Sequence, residues 1–226
     1  TSTAPSSEPG AAPQAAARLA ARLALPVRDL ALLGEALVHS SYPNEHPELP
    51  AVSYERLEFL GDSVISLVVS DALFRHHPGE DEGHLTARRS AIVSTEGLAA
   101  LARRPALGDY LLLGQGADRA NERERPSVLA AAFEAGVGAI YLDLGLEAVR
   151  AWIADVAASE LEARQPASSL VSPKSRLQEV GYARVGAAPT YRIVSAVGPD
   201  HEKHYIVEAI IEGEVVGRGE GRNRRE

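Results

Sequence analysis

The sequence contains no cysteine, which excludes disulfides, thiolate zinc sites and cysteine nucleophiles together. Any catalytic metal must then be held by oxygen or imidazole ligands, which points toward magnesium-type chemistry. Methionine is also absent and the chain opens on Thr1, so the native start is expected to lie outside it. No apolar run approaches the roughly 20 residues of a membrane span, and no basic-then-apolar signal pattern opens the chain. The expectation is a soluble, cytoplasmic protein with no membrane partner.

A net charge of -8 and a pI of 5.4 argue at first sight against a nucleic-acid partner. The charge is unevenly placed. From Pro173 onward there are 9 Lys and Arg against 8 Asp and Glu, while the upstream part carries 14 against 23. The acidity therefore belongs to the first part, where it can serve as metal-binding carboxylate. The length of 226 residues suits a nuclease-sized unit plus a small module.

Residues 1–14 are rich in Pro, Ser, Ala and Gly and read as a disordered tail. Leu and Ala then recur at helical spacing over residues 15–163, predicting an all-helical domain. A polar linker, residues 164–172, follows. From residue 173, P-K-S-R-L-Q-E-V opens a helix with Pro in its first turn, and T-Y-R-I-V-S-A-V, H-Y-I-V-E-A-I-I and V-V-G-R-G-E-G read as three strands. The closing N-R-R-E reads as a second helix cut short.

The segment Y-E-R-L-E-F-L-G-D-S-V-I-S-L-V-V-S carries Glu55, Glu58 and Asp62. At ~100° per residue these project within about 60° of one another along one helix face. The plain alternative for Glu55 and Glu58 is a solvated face with local ion pairing. Asp62 is the only charge between Phe59 and Val69, where burying it would be costly without a cation. A second helix, P-S-V-L-A-A-A-F-E-A-G-V-G-A-I-Y-L, carries Glu134 as its sole charge among small residues that let another helix approach closely. Asp62 and Glu134 together would make the hard oxygen cluster that Mg²⁺ takes.

At this point the residues resemble the ribonuclease III signature. E-R-L-E-F-L-G-D-S-V, from Glu55 to Val64, is close to the family's most diagnostic block. L-G-E-A-L-V-H-S-S-Y, E-G-H-L-T-A-R-R, L-G-D-Y-L-L-L-G and R-P-S-V-L-A-A-A-F-E-A support it in the family's order. The resemblance implies metal-binding roles for Glu58, Asp62 and Glu134, the last two being the catalytic pair. It implies secondary acidic roles for Glu55 and Glu82, and a dimer contact at Phe59. One departure matters: the family reads Asp three positions before the second essential carboxylate, and here Ala131 stands there. That is either a deliberate inactivation or a natural variant in which water or another acid fills the place.

The C-terminal blocks resemble a double-stranded-RNA-binding domain, a module that reads duplex shape and 2′-hydroxyls across successive minor grooves. By that resemblance Ser175, Gln178, Glu179 and His201 match minor-groove contacts, and Arg224 and Arg225 match phosphate-binding lysines, with Arg adding fork geometry. The fold implied is an all-α endonuclease domain followed by a small α+β (α-β-β-β-α) module, incomplete at its last helix. The function implied is magnesium-dependent hydrolysis of double-stranded RNA, with Mn²⁺ as a substitute. It leaves 5′-phosphate and 3′-hydroxyl ends and serves a homodimer in rRNA and mRNA processing. The other reading is a cleavage-impaired duplex-RNA-binding protein, on the strength of Ala131.

Overall fold

The structure, a computed structural model, describes residues 10–46, 52–163, 177–178, 181–182, 184–198 and 204–221. It divides into two compact units, residues 1–165 and 166–226. In the first, the described helices are α1 (Ala11–Leu23), α2 (Leu30–Glu35), α3 (Ser41–Glu45), α4 (Glu55–His76), α5 (Glu82–Ile92), α6 (Thr95–Arg103), α7 (Gln115–Arg119), α8 (Pro126–Leu144), α9 (Leu146–Val156) and α10 (Ala158–Leu161). Their starts follow local chemistry. The side chains of Asp29, Asp81 and Ser94 each accept from the backbone N–H three residues on, and Pro126 opens α8 where no N–H is needed. Residues 11–14, read as tail, instead form the first turn of α1, and Ala11 is buried. A stretch rich in alanine lacks the large apolar residues that mark a helical period, yet it docks well through its small side chains.

The core is organised by the crossing of α4 and α8. A methyl group added at Gly61 would lie 1.8 Å from the Glu134 carbonyl oxygen, and one at Gly138 would lie 2.4 Å from the Leu57 carbonyl oxygen. The two backbones therefore touch, and only glycine permits the contact. Around it pack Ile65, Val69, Leu129, Phe133 and Ile153, all fully buried. Trp152 stacks on Phe133 at 4.9 Å between ring centres.

Helix α8 is, by length and composition, apolar enough to cross a membrane, contrary to the expectation that no such run exists. It is the central core helix, with most of its residues from Val128 to Ile140 buried in this unit. The run from Phe59 to Val69 behaves the opposite way. Val64, Ile65, Val68 and Val69 are buried, but Phe59 is 81% exposed and Asp62 and Leu67 also face out. Asp62 is therefore not a buried carboxylate. The helix has two apolar faces, and one periodic pattern cannot report which of them the core covers.

The buried Arg88 closes the end of the unit. It donates to both oxygens of Glu80 at 2.7 and 2.6 Å and to the Ala163 carbonyl at 2.8 Å. The second unit holds an antiparallel sheet in the order β1-β2-β3: β1 (Thr190–Val197), β2 (His204–Ile211) and β3 (Glu214–Gly221). Glu212 and Gly213, both at positive φ, make the two-residue turn between β2 and β3. Residues 177–178, 181–182 and 184–185 are helical.

Because the Gly61 contact is backbone against backbone, no side chain can yield to relieve it. Gly61→Ala is expected to lower the melting temperature of the nuclease unit by roughly 10 °C, an overpacking cost at the upper end of its usual range. Gly79→Ala, at a position with nothing near, is the control and should shift it by about a degree or less. Differential scanning calorimetry of the two variants checks this.

Candidate active site

The glycine crossing determines where the carboxylates stand. Glu134 makes the tight contact on α8 with its own carbonyl, and Glu58 and Asp62 lie on either side of Gly61 on α4. Glu134 is half-buried. Burial, then the charges of Asp62 and Glu58, raise its carboxyl to about 7. Glu58 is also pushed up, by burial first and then by Glu55 and Asp62. These couplings show that the three charges lie within reach of one another, as like charges must to disfavour each other's ionisation. No described Lys, Arg or His forms an ion pair with any of the three.

The donor chemistry fits a hard divalent cation, since all three are carboxylates and their mutual repulsion is what such a cation relieves. The side chains are not, however, closed around a common point. Among the described residues no group of three or more His, Asp or Glu is disposed to hold a metal ion. Glu58, Asp62 and Glu134 thus act on one another by charge, and their side chains are not gathered around one point as the expectation of a shared ion would require. Ala131, one turn before Glu134, is half-buried and packs against the core.

Glu55 is exposed at the start of α4 and accepts from Ser53 Oγ at 3.0 Å. Glu82 is exposed in the first turn of α5 and accepts from Thr86 Oγ1 at 3.1 Å; no contact joins it to the other carboxylates. Gln178 is exposed. Ser175, Glu179, His201, Arg224 and Arg225 lie outside the described residues.

Two groups that sequence reading passed over adjoin this face. The ring of His39 packs edge-on against buried Tyr54, 5.8 Å between centres. Glu122 acts on both rings by charge. Only the position of His39 inside L-V-H-S-S-Y could have signalled it, and nothing in the local pattern marks Glu122.

A helical core with carboxylates on both helices of its central crossing is followed in sequence by a three-stranded antiparallel sheet. A family model described as Ribonuclease-III-like matches residues 29–161, and one described as Double-stranded RNA binding motif matches residues 173–226. Ribonuclease 3 of Dehalococcoides mccartyi is 42% identical over 198 residues, covering 88% of this chain and 84% of that protein. Ribonuclease 3 of Heliobacterium modesticaldum is 43% identical over 201 residues, with 88% and 84% covered. The nuclease domain of ribonuclease III from Campylobacter jejuni, described for flexibility in a region involved in dimer formation, aligns with a TM-score of 0.57 at 34% identity. It covers 62% of this chain and 93% of its own. The chain belongs to the ribonuclease III family.

The raised Glu134 carboxyl has a measurable consequence without metal. An acid whose folded pKa lies above its ordinary value contributes stability that is complete below the ordinary value, 4.5, and is lost as the pH rises through about 7. In EDTA, wild-type stability should therefore fall between pH 4.5 and 8 relative to Glu134→Gln. At pH 8 the variant should be the more stable by on the order of 1–3 kcal/mol, solvent screening included. Urea denaturation across that range reads it directly, and parallel curves would contradict it.

Proposed function

We propose that this chain hydrolyses phosphodiester bonds of duplex RNA in a magnesium-dependent reaction, with Mn²⁺ able to substitute. The products would carry 5′-phosphate and 3′-hydroxyl ends, and the substrates would be rRNA and mRNA precursors in the cytoplasm. One observation carries the reading: the half-buried Glu134 stands against Asp62 and Glu58 at the α4–α8 crossing, and among the described residues no cation is paired with them. Bound there, a divalent cation supplies charge for the leaving 3′ oxygen and acidifies an attacking water. Asp62, exposed, faces incoming substrate, and Glu58 and Glu134 hold charge behind it. With its carboxyl raised to about 7, Glu134 would be partly protonated near neutrality and would release that proton on capture of a cation. The touching backbones fix the spacing between the carboxylates of the two helices.

The chain is proposed to act as a homodimer through the apolar face of α4. Phe59, Leu67 and Phe74 are 81%, 54% and 70% exposed and lie within about 80° of one another around the helix. Such a strip is the mark of an interaction surface, and it runs beside the carboxylate face. Phe59→Lys should convert dimer to monomer at micromolar concentration, read by light scattering; an unchanged mass would remove Phe59 from the interface.

Ala131 supports the second reading, a duplex-RNA-binding protein with impaired cleavage. A methyl group stands at Ala131, one turn before Glu134, so a bound Mg²⁺ would have fewer protein oxygens to hold it and would keep more water. Cleavage of labelled duplex RNA with Mg²⁺, Mn²⁺ or EDTA separates the readings. Asp62→Asn or Glu134→Gln should lower the rate by at least about 100-fold. Ala131→Asp should raise cleavage about tenfold at limiting Mg²⁺, with duplex affinity in EDTA unchanged. An Ala131→Asp protein no faster at any metal concentration would mean that this position is not a ligand.

A further inference from the structure

The block E-G-H-L-T-A-R-R ends in two arginines with opposite surroundings. Arg88 is buried, and both oxygens of Glu80 accept from it. Arg89 is half-buried and turns toward α4, where its Nη1 donates to Ser70 Oγ at 3.3 Å. That is its one polar contact among the described residues, and no described carboxylate pairs with it. A guanidinium carries five N–H donors, so the rest are left for another acceptor.

The two helices fix where that guanidinium stands. After residues 77–81 the chain enters α5 and runs back along α4, which brings Arg89 to Ser70. Asp62, Ser66 and Ser70 recur at every fourth position and so form one row along α4. Ser70 lies about 12 Å along the axis from Asp62. Its hydroxyl leans back toward the start of the helix, donating to the Ser66 carbonyl at 2.6 Å. Arg89 is therefore held beside the row that the exposed Asp62 begins, one to two turns along it. Ser70 orients the guanidinium without neutralising it, since a hydroxyl carries no charge.

A phosphate answers both the charge and the planar fork of such a group. Each strand of a duplex carries one phosphate per roughly 3.4 Å of axis. A point about 6–12 Å from Asp62 along α4 is then about two to four phosphates away from one held at the carboxylates. We propose that Arg89 binds a backbone phosphate of the RNA strand being cut, about two to four nucleotides from the cleaved bond, and that Ser70 positions its guanidinium for this. The contact rests on the cleavage reaction described above. It gives the acidic unit a hold on the duplex that is separate from the carboxylates and from any cation they bind.

The test removes the charge from one side of the contact at a time. The substrates are an unmodified RNA duplex and a series each carrying one neutral methylphosphonate, at successive positions on either side of the cleavage site. Arg89→Gln is expected to lower kcat/KM on the unmodified duplex on the order of tenfold, the worth of a charged hydrogen bond, and to make its dependence on salt shallower by about one in the log–log slope. One methylphosphonate position should cost wild type the same factor and cost Arg89→Gln nothing more. Arg89→Lys keeps the charge and loses the fork, so it should keep the salt slope and the sensitive position while recovering only part of the rate. Wild-type rate in Arg89→Gln, or the same pattern of penalties in both proteins, would overturn the proposal. So would an Arg89→Gln chain that light scattering finds at half the wild-type mass, because the arginine would then belong to a contact between copies. If Arg89→Gln melts well below wild type, the Lys variant decides, and a stable Lys protein without the sensitive position counts against the contact. Affinities for the same duplexes in Ca²⁺ give the comparison without cleavage. Failure of the nuclease reading, seen as no cut by wild type in Mg²⁺ or Mn²⁺, is thus distinguishable from failure of this one.

Discussion

The contact between α4 and α8 at Gly61 and Gly138 is the constraint on which the rest of the structure depends. Two helices packed through ordinary side chains lie 8–10 Å apart; through glycine they come closer. Asp62, next to Gly61, and Glu134, whose own carbonyl meets Gly61, are drawn together by the same contact. The carboxylates could not be coupled as they are if a methyl group kept the helices apart. Fold and site are two consequences of one approach of backbones.

Closeness has an electrostatic cost. Burial and the neighbouring charges raise Glu134 and Glu58 together, so without a cation the site favours a partly protonated state. The fold accepts this because α8 contributes far more than one unfavourable charge takes away, through the apolar surface from Val128 to Ile140 that it buries. The buried Arg88–Glu80 pair shows the other solution to burying charge, complete pairing with a bidentate partner. Among the described residues Glu58, Asp62 and Glu134 have no such partner.

Much of this was legible in the sequence. Small residues flanking Glu134 announced a close helix approach, and the spacing of Glu55, Glu58 and Asp62 placed them on one face. The burial of Asp62 was misread, because α4 carries a second apolar face at Phe59, Leu67 and Phe74 that the core of this unit does not cover. The start of α1 was missed because alanine carries little hydrophobic signal even where it is buried. The surroundings of His39 were not legible, since Ser41 at its ring contacts Gly114, which is brought there by the pairing of Val38 with Leu112. Local periodicity reports which face a residue shares; it does not report contacts made across the chain.

The distribution of charge follows from two demands that conflict in one place. A site that captures a divalent cation must be acidic, and an acidic surface repels the phosphate backbone it is meant to cut. Affinity for RNA is electrostatic in large part and requires basic groups. The sequence separates the demands along the chain, with the acidic excess upstream of Pro173 and slightly more basic than acidic residues beyond it. Within the acidic unit a bound cation would itself become the attraction, since its charge would turn a repulsive cluster into a phosphate-binding one.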